Sequence, residues 1–87
     1  MKLKYKFDIA TIADEIIAVP LDTAGEFNGV IHINDTMKDI MELLIEDKTE
    51  EELTMAMMQK YTNVTKEEMA ASIHKICIGL KNEGILE

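Results

Sequence analysis

The spacing of the apolar residues changes near Asn34, and this change most constrains the fold. Over residues 2–9, apolar and polar residues alternate strictly, which is the period-two pattern of a strand with one solvated face. After Asn34 the apolar residues recur every three or four positions, as Met37, Ile40 and Leu44 do. That spacing is typical of an amphipathic helix. The sequence therefore predicts strands first and helices afterwards.

Three strands are predicted in the first third of the chain. The first covers residues 2–9, and a turn follows at residues 13–15. The second strand, "EIIAVPL", covers residues 15–21 and is apolar on both faces. A loop over residues 22–29 leads to the third strand, Val30–Ile33. Because the strands follow one another closely, we expect them to form an antiparallel meander.

The first helix is predicted to begin near Thr36, where Asn34 or Asp35 can cap it, and to end at about residues 45–48. With two further helices, the order of elements is βββααα. This order predicts an α+β fold that resembles a winged helix-turn-helix, in which a three-stranded antiparallel sheet precedes three helices.

Two capping boxes predict the starts of the second and third helices. Thr49 is followed by three glutamates, so the second helix should begin there and run to about Tyr61. Thr65, with Glu68 three residues later, opens the third helix. That helix should end at Gly84, which suits a helix C-terminus, and the last three residues should form a short tail.

The composition limits the classes of function. The 87 residues are sufficient for one domain, residues 1–87, with a single small core. The chain has no apolar run long enough to cross a membrane and no signal-peptide pattern, so we expect a cytoplasmic protein. The net charge is −8, and the nine basic residues are all lysines. Since phosphate and guanine recognition depend on arginine and positive surface, we do not expect nucleic acid as a partner.

Few residues could carry catalysis. Apart from the carboxylates, the classical candidates for a nucleophile or base are His32, His74 and Cys77. Cys77 falls on the apolar side of the third helix, and the two histidines lack a metal-ligand spacing. No glycine-rich phosphate loop is present. We therefore predict no catalytic residues, no metal and no cofactor.

The third strand and the third helix carry the features that indicate binding. Lys2, Lys4 and Lys6 guard the first strand against edge pairing, whereas the third strand has no charge and no proline. In a meander both are edge strands, so the third strand is the open one and could accept an added peptide strand. On the third helix, Ala71 and Ile78 form a small apolar strip away from the core-facing stripe. This strip is either ordinary exposed surface or a binding surface.

The chain resembles PqqD-like proteins, which are the precursor-peptide recognition domains of pathways that modify ribosomally made peptides. The similar segments are "GVIHINDTMKDIMELLIEDKTEEELTMAMMQKY" and "VTKEEMAASIHKICIGLKNEGIL". They contain a strand ending in Ile33-Asn34, a "DIMELL" helix, an acidic helix start, and a last helix ending in Leu-Lys-x-x-Gly-Ile-Leu. One departure is Glu46-Asp47-Lys48, where family members often have Asp-Gly.

The resemblance implies a winged-helix-like βββααα domain without catalytic activity. Such a domain binds the leader segment of a precursor peptide, as a strand beside the third strand and against the third helix. It presents the leader to a modifying enzyme, often a radical S-adenosylmethionine (radical SAM) enzyme. The peptide-binding residues implied for this chain are Val30, Ile31, His32, Ile33, Ile73, His74, Cys77, Ile78 and Lys81.

Two other functions remain open at the level of sequence. A winged-helix transcription regulator would need a positive recognition helix, but the second helix is acidic and the third has a balanced charge. An interaction module could instead form a homodimer through the open edge of the third strand.

Overall fold

The computed structural model of the chain describes residues 1–21 and 29–87. The strands and helices are β1 (Lys6–Ile12), β2 (Glu15–Leu21), β3 (Ile31–Ile33), α1 (Asp35–Leu43), α2 (Glu50–Lys60) and α3 (Lys66–Asn82). This order confirms the predicted βββααα architecture. Of the loop predicted over residues 22–29, only Gly29 belongs to the described residues.

The first strand lies further along the chain than the sequence predicts. It covers Lys6–Ile12 instead of residues 2–9, and it pairs antiparallel with β2 along its whole length. The two strands are joined by Ala13 and Asp14 alone, which have φ angles of 51° and 68°. Two residues with positive φ form a tight hairpin turn, so pairing extends to the turn and Glu15 belongs to β2.

The segment before β1 pairs with the end of the chain and not with β2. Leu3 forms an isolated antiparallel bridge with Leu86, and its amide donates to the Leu44 carbonyl at 2.9 Å. The last three residues, which the sequence predicts as a short tail, are therefore held against the rest of the fold. Ile85 is fully buried, and its amide donates to Leu80 at 3.2 Å. These long-range contacts bring both ends of the described chain against the end of α1.

The third strand is one residue shorter than predicted, because Val30 lies outside it. Strand β2 pairs with β3 from Ile16↔Ile33 to Ala18↔Ile31. Extending this register by two residues would set Pro20 against Gly29. Proline has no amide hydrogen to donate to a ladder, so β3 pairing stops before this position.

The three helices begin where their caps predict. Asn34 caps α1 through a bond from the Met37 amide at 2.9 Å. Thr49 and Thr65 each form a complete capping box, with Glu52 and Glu68 respectively. Each box satisfies amide donors that the first helical turn leaves without partners.

The helix ends follow from backbone bonds that the sequence does not reveal. Helix α1 ends at Leu43 instead of residues 45–48, because the carbonyl of Leu44 accepts from the Leu3 amide. Helix α3 ends at Asn82. Gly84 follows with a φ of 77°, and its amide donates to the Lys81 carbonyl at 3.0 Å. Together with the bond from Ile85 to Leu80, this is a Schellman motif, in which glycine avoids left-handed strain.

A polar contact joins α1 to the end of α2. Lys60 Nζ lies 2.7 Å from Asp39 Oδ1, and the Tyr61 hydroxyl donates to Asp39 Oδ2. Partial burial opposes ionisation of Asp39, but the hydrogen bonds from Lys60 and Tyr61 outweigh it and lower the pKa of Asp39. The same bonds raise the pKa of Lys60 and of Tyr61.

The core lies between the sheet and the helices, and every helix contributes to it. Ala18, at the centre of β2, is fully buried, and Ile31 and Ile33 pack against the cluster. The buried apolar residues are Leu3, Ala18, Ile40, Met41, Leu44, Leu53, Met57, Met69, Ile73, Cys77, Leu80 and Ile85. Among the described residues, no helix is long and apolar enough to cross a membrane.

Candidate peptide-binding site

Strand β3 is an edge strand of the sheet, whose order over the described residues is β1-β2-β3. Strand β1 is the other edge, as the sequence predicts. Only Lys6 of the three guarding lysines lies in β1 itself, since Lys2 and Lys4 precede it. Strand β3 carries no charged residue other than His32 when it is protonated. Its free edge therefore lacks the lysines that discourage strand addition at β1.

The hairpin register shows which backbone groups of β3 are free. Next to a two-residue turn, Ile12 and Glu15 form a hydrogen-bonded pair, and pair types then alternate along the strands. Ile17 therefore directs its amide and carbonyl towards β1. Because Ile17 is opposite His32, that pair is not hydrogen-bonded, and the amide and carbonyl of His32 point away from β2. Among the described residues neither group has a backbone partner, so both could bond to an incoming strand.

The side chains of β3 divide between the core and the outside. Ile31 and Ile33 are partly buried and pack against the core. His32 is exposed on the outer face of the sheet, with Nδ1 3.8 Å from Glu15 Oε2. Val30 precedes the strand and is 51% exposed. Val30 and His32 are thus the residues of the predicted edge whose side chains a partner can reach directly.

Helix α3 holds two predicted site residues inside the core. Ile73 is fully buried and Cys77 is 4% exposed. Burial raises the pKa of the Cys77 thiol. Both residues stabilise the helix against the core, and a peptide on the surface would contact the residues beside them.

The other predicted residues of α3 are exposed but occupy different sides. His74 Nδ1 lies 2.9 Å from Glu50 Oε1, at the start of α2. At 100° per residue, Lys81 lies on the same flank as His74, whereas Ile78 points further out and is 47% exposed. This flank, defined by His74 and Lys81, is the α2 flank of α3.

The opposite flank of α3 carries residues outside the predicted set. The helical rotation places Ser72, Ile76 and Gly79 about half a turn from the α2 flank. Ser72 and Gly79 are exposed, and Ile76 is partly buried and packs against the core. Ser72 and Gly79 are small, so this flank leaves room for a second backbone to approach.

A shallow acidic cavity lies at the end of β3 near the hairpin turn. Its volume is about 350 Å³, and it is lined by Asp14, Glu15, Ile16, His32, Ile33, Asn34 and Asp35. Three of these residues carry carboxylates, so the electrostatic potential beside His32 favours a cationic group. In the described part of the chain, no three metal-ligating side chains are grouped so that they could hold an ion.

Comparison with known proteins gives a match among the solved structures. No protein-family model matches the sequence, and no curated protein sequence is significantly similar to it. A solved structure, "TbiB1 in Complex with the TbiA(beta) Leader Peptide", superposes with a TM-score of 0.74 at 25% sequence identity. The match covers 100% of this chain and 95% of TbiB1. The structural comparison confirms the resemblance of this chain to the PqqD-like precursor-peptide recognition domains.

Proposed function

We propose that this protein is a non-catalytic recognition domain for the leader segment of a ribosomally made precursor peptide. The leader adds as a strand to the free edge of β3, and the domain presents it to a modifying enzyme, of which a radical SAM enzyme is the expected type. The observation that carries this proposal is the outward direction of the His32 amide and carbonyl on an unguarded edge. The structural likeness to a protein solved with a leader peptide supports it.

The contacts that the free edge of β3 offers are sufficient to bind a leader with measurable affinity. If Val30 and His32 each exchange two backbone bonds with the leader, four bonds contribute roughly 2–6 kcal/mol. Two or three apolar leader side chains, buried at about 1.5–3 kcal/mol each, contribute a further 3–9 kcal/mol or so. Ordering the leader removes several kcal/mol of this sum. Micromolar affinity is the expected result.

The leader side chains facing α3 would lie against its Ser72–Gly79 flank. On the α2 flank, a leader would have to displace the contact between His74 and Glu50 of α2. Ile76 offers apolar surface on the free flank, and Ser72 and Gly79 leave space for a neighbouring chain. A basic leader residue beside His32 would face the acidic cavity at the end of β3.

An amide NMR titration with the leader segment encoded beside this gene tests the proposal. Saturable shifts are expected at Val30–Ile33 and along α3. A scrambled leader of the same composition serves as the control. Binding that shifts only residues remote from β3, or no binding of an intact leader to the folded protein, would contradict strand addition.

A charge introduced at the edge provides a second test. His32→Asp places a carboxylate beside Glu15 on the free edge, so leader affinity should fall while the fold is retained. Ile12→Asp is the matched control, because Ile12 is 60% exposed on the outer face of β1. Equal affinity of the two variants would count against the β3 edge.

A further inference from the structure

A second groove lies at the opposite edge of the sheet, between the segment leading into β1 and the end of α1. Its volume is about 560 Å³, within the range of ligand-binding clefts. The walls are mainly apolar, with Tyr5 and Phe7 on one side and Met41 and Ile45 on the other. Ile45 is 66% exposed, the highest value among the exposed large apolar residues of the described chain. We call this feature the β1 groove.

The rim of the β1 groove is positively charged on one side. Lys2, Lys4 and Lys6 all line it. Among the described residues none of the three forms an ion pair, although Lys4 Nζ lies 5.8 Å from the centre of the Tyr5 ring. Glu42 lines the α1 wall, and Glu87 lies beside Lys2. Three of the nine lysines of a chain with net charge −8 are thus gathered on the β1 side of one groove.

We propose that the β1 groove binds an acidic segment of a partner protein, with an aliphatic or aromatic anchor between Phe7 and Ile45 and carboxylates at the lysine rim. The local charge of the rim favours this occupant, because the three lysines attract an acidic segment that the net charge of −8 repels elsewhere on the surface. Lysines also discourage strand addition at β1, so the contact relies on side chains.

The position of the groove, at the edge of the sheet opposite β3, indicates which partner would supply the acidic segment. Strand β2 separates β1 from β3, so the two edges lie about 10 Å apart and can be occupied together. A domain that holds a leader at one edge and an enzyme at the other would bring the two together. Assigning the acidic segment to the modifying enzyme rests on the proposed function, whereas the binding chemistry of the groove does not.

The test uses a defined probe, the blocked peptide Asp-Glu-Leu-Phe-Glu-Asp, titrated into isotopically labelled full-length protein. Saturable amide shifts are expected from Leu3 to Phe7 and at Ile45, with weak affinity at about 0.1–1 mM. The basic counterpart Lys-Lys-Leu-Phe-Lys-Lys should bind much more weakly. Affinity for the acidic peptide should fall as salt is raised, because the rim is exposed.

Paired variants measure separately how the charged rim and the apolar wall contribute to the affinity for the acidic peptide. Lys4→Glu should lower the affinity for the acidic peptide about fivefold or more. Lys66→Glu makes the same charge change at the start of α3 and should leave the affinity close to that of the wild type. Ile45→Ser should weaken binding, whereas Ile12→Ser, which removes a similarly exposed side chain elsewhere, should not.

Three outcomes would overturn the proposal. These are an absence of shifts in the groove at about 2 mM probe, equal binding of the basic peptide, and equal loss of affinity in Lys4→Glu and Lys66→Glu. The leader titration reads different amides, those of β3 and α3. Failure of the acidic probe with intact leader binding therefore refutes the groove alone, and the converse result refutes only the leader function.

Discussion

Proline at position 32 should weaken leader binding without disrupting the sheet. The amide of His32 points away from β2, so His32→Pro removes no hydrogen bond from the β2–β3 ladder. Proline also restricts the residue before it, here Ile31, to an extended backbone, which is the conformation that a strand requires. By contrast, Ile31→Pro removes a ladder bond to Ala18 and a side chain packed on the core.

The expected loss of affinity can be worked from the missing donor. One backbone hydrogen bond is worth roughly 0.5–1.5 kcal/mol, so His32→Pro should raise the dissociation constant of the leader about 2- to 13-fold. His32→Ala retains the amide and should change the affinity much less. The difference between these two variants isolates the backbone bond from the imidazole.

Fluorescence anisotropy with a labelled leader measures the affinities, and urea unfolding measures the stabilities. His32→Pro should remain within about 1 kcal/mol of the wild type, whereas Ile31→Pro should lose about 3 kcal/mol or more. A folded His32→Pro protein with undiminished affinity would refute leader addition through this amide. Strong destabilisation by His32→Pro, with Ile31→Pro tolerated, would show that the register derived for β3 is wrong by one residue.

Three further predictions concern the fold. Asp39→Asn should lower the free energy of unfolding by about 1–2 kcal/mol at neutral pH, because its charged bonds to Lys60 and Tyr61 are lost. Since the pKa of Asp39 is lowered by folding, this contribution is complete above the unfolded value of about 4 and disappears as the pH falls through the folded value. Urea unfolding at a series of pH values should therefore show the variant and wild type converging in acid, and a constant difference would contradict this origin. Thr65→Ala should cost about 1 kcal/mol by the same assay, and an unchanged stability would show that the box is not formed in solution. Cys77 should react with a thiol reagent at pH 8 far more slowly in the native protein than in urea, and fast native labelling would contradict its burial.

The sequence alone determined the features that depend on neighbouring residues. The capping boxes at Thr49 and Thr65 predicted the starts of α2 and α3, because an N-cap bonds to amides only two or three residues ahead. The apolar run "EIIAVPL" predicted β2 with its observed limits, Glu15–Leu21. The open edge of the third strand was also predictable, because its sequence contains no lysine, aspartate or glutamate.

The tertiary structure decided the features that depend on distant residues. Leu3 pairs with Leu86 instead of joining β1, and the bond from its amide to the Leu44 carbonyl ends α1 at Leu43. His74 contacts Glu50, 24 residues away, and the helical pattern could not show this pairing. Helical spacing shows which residues share a face, but not which neighbouring element covers that face. Long-range packing of the elements decides which face is covered, and the same packing forms the β1 groove.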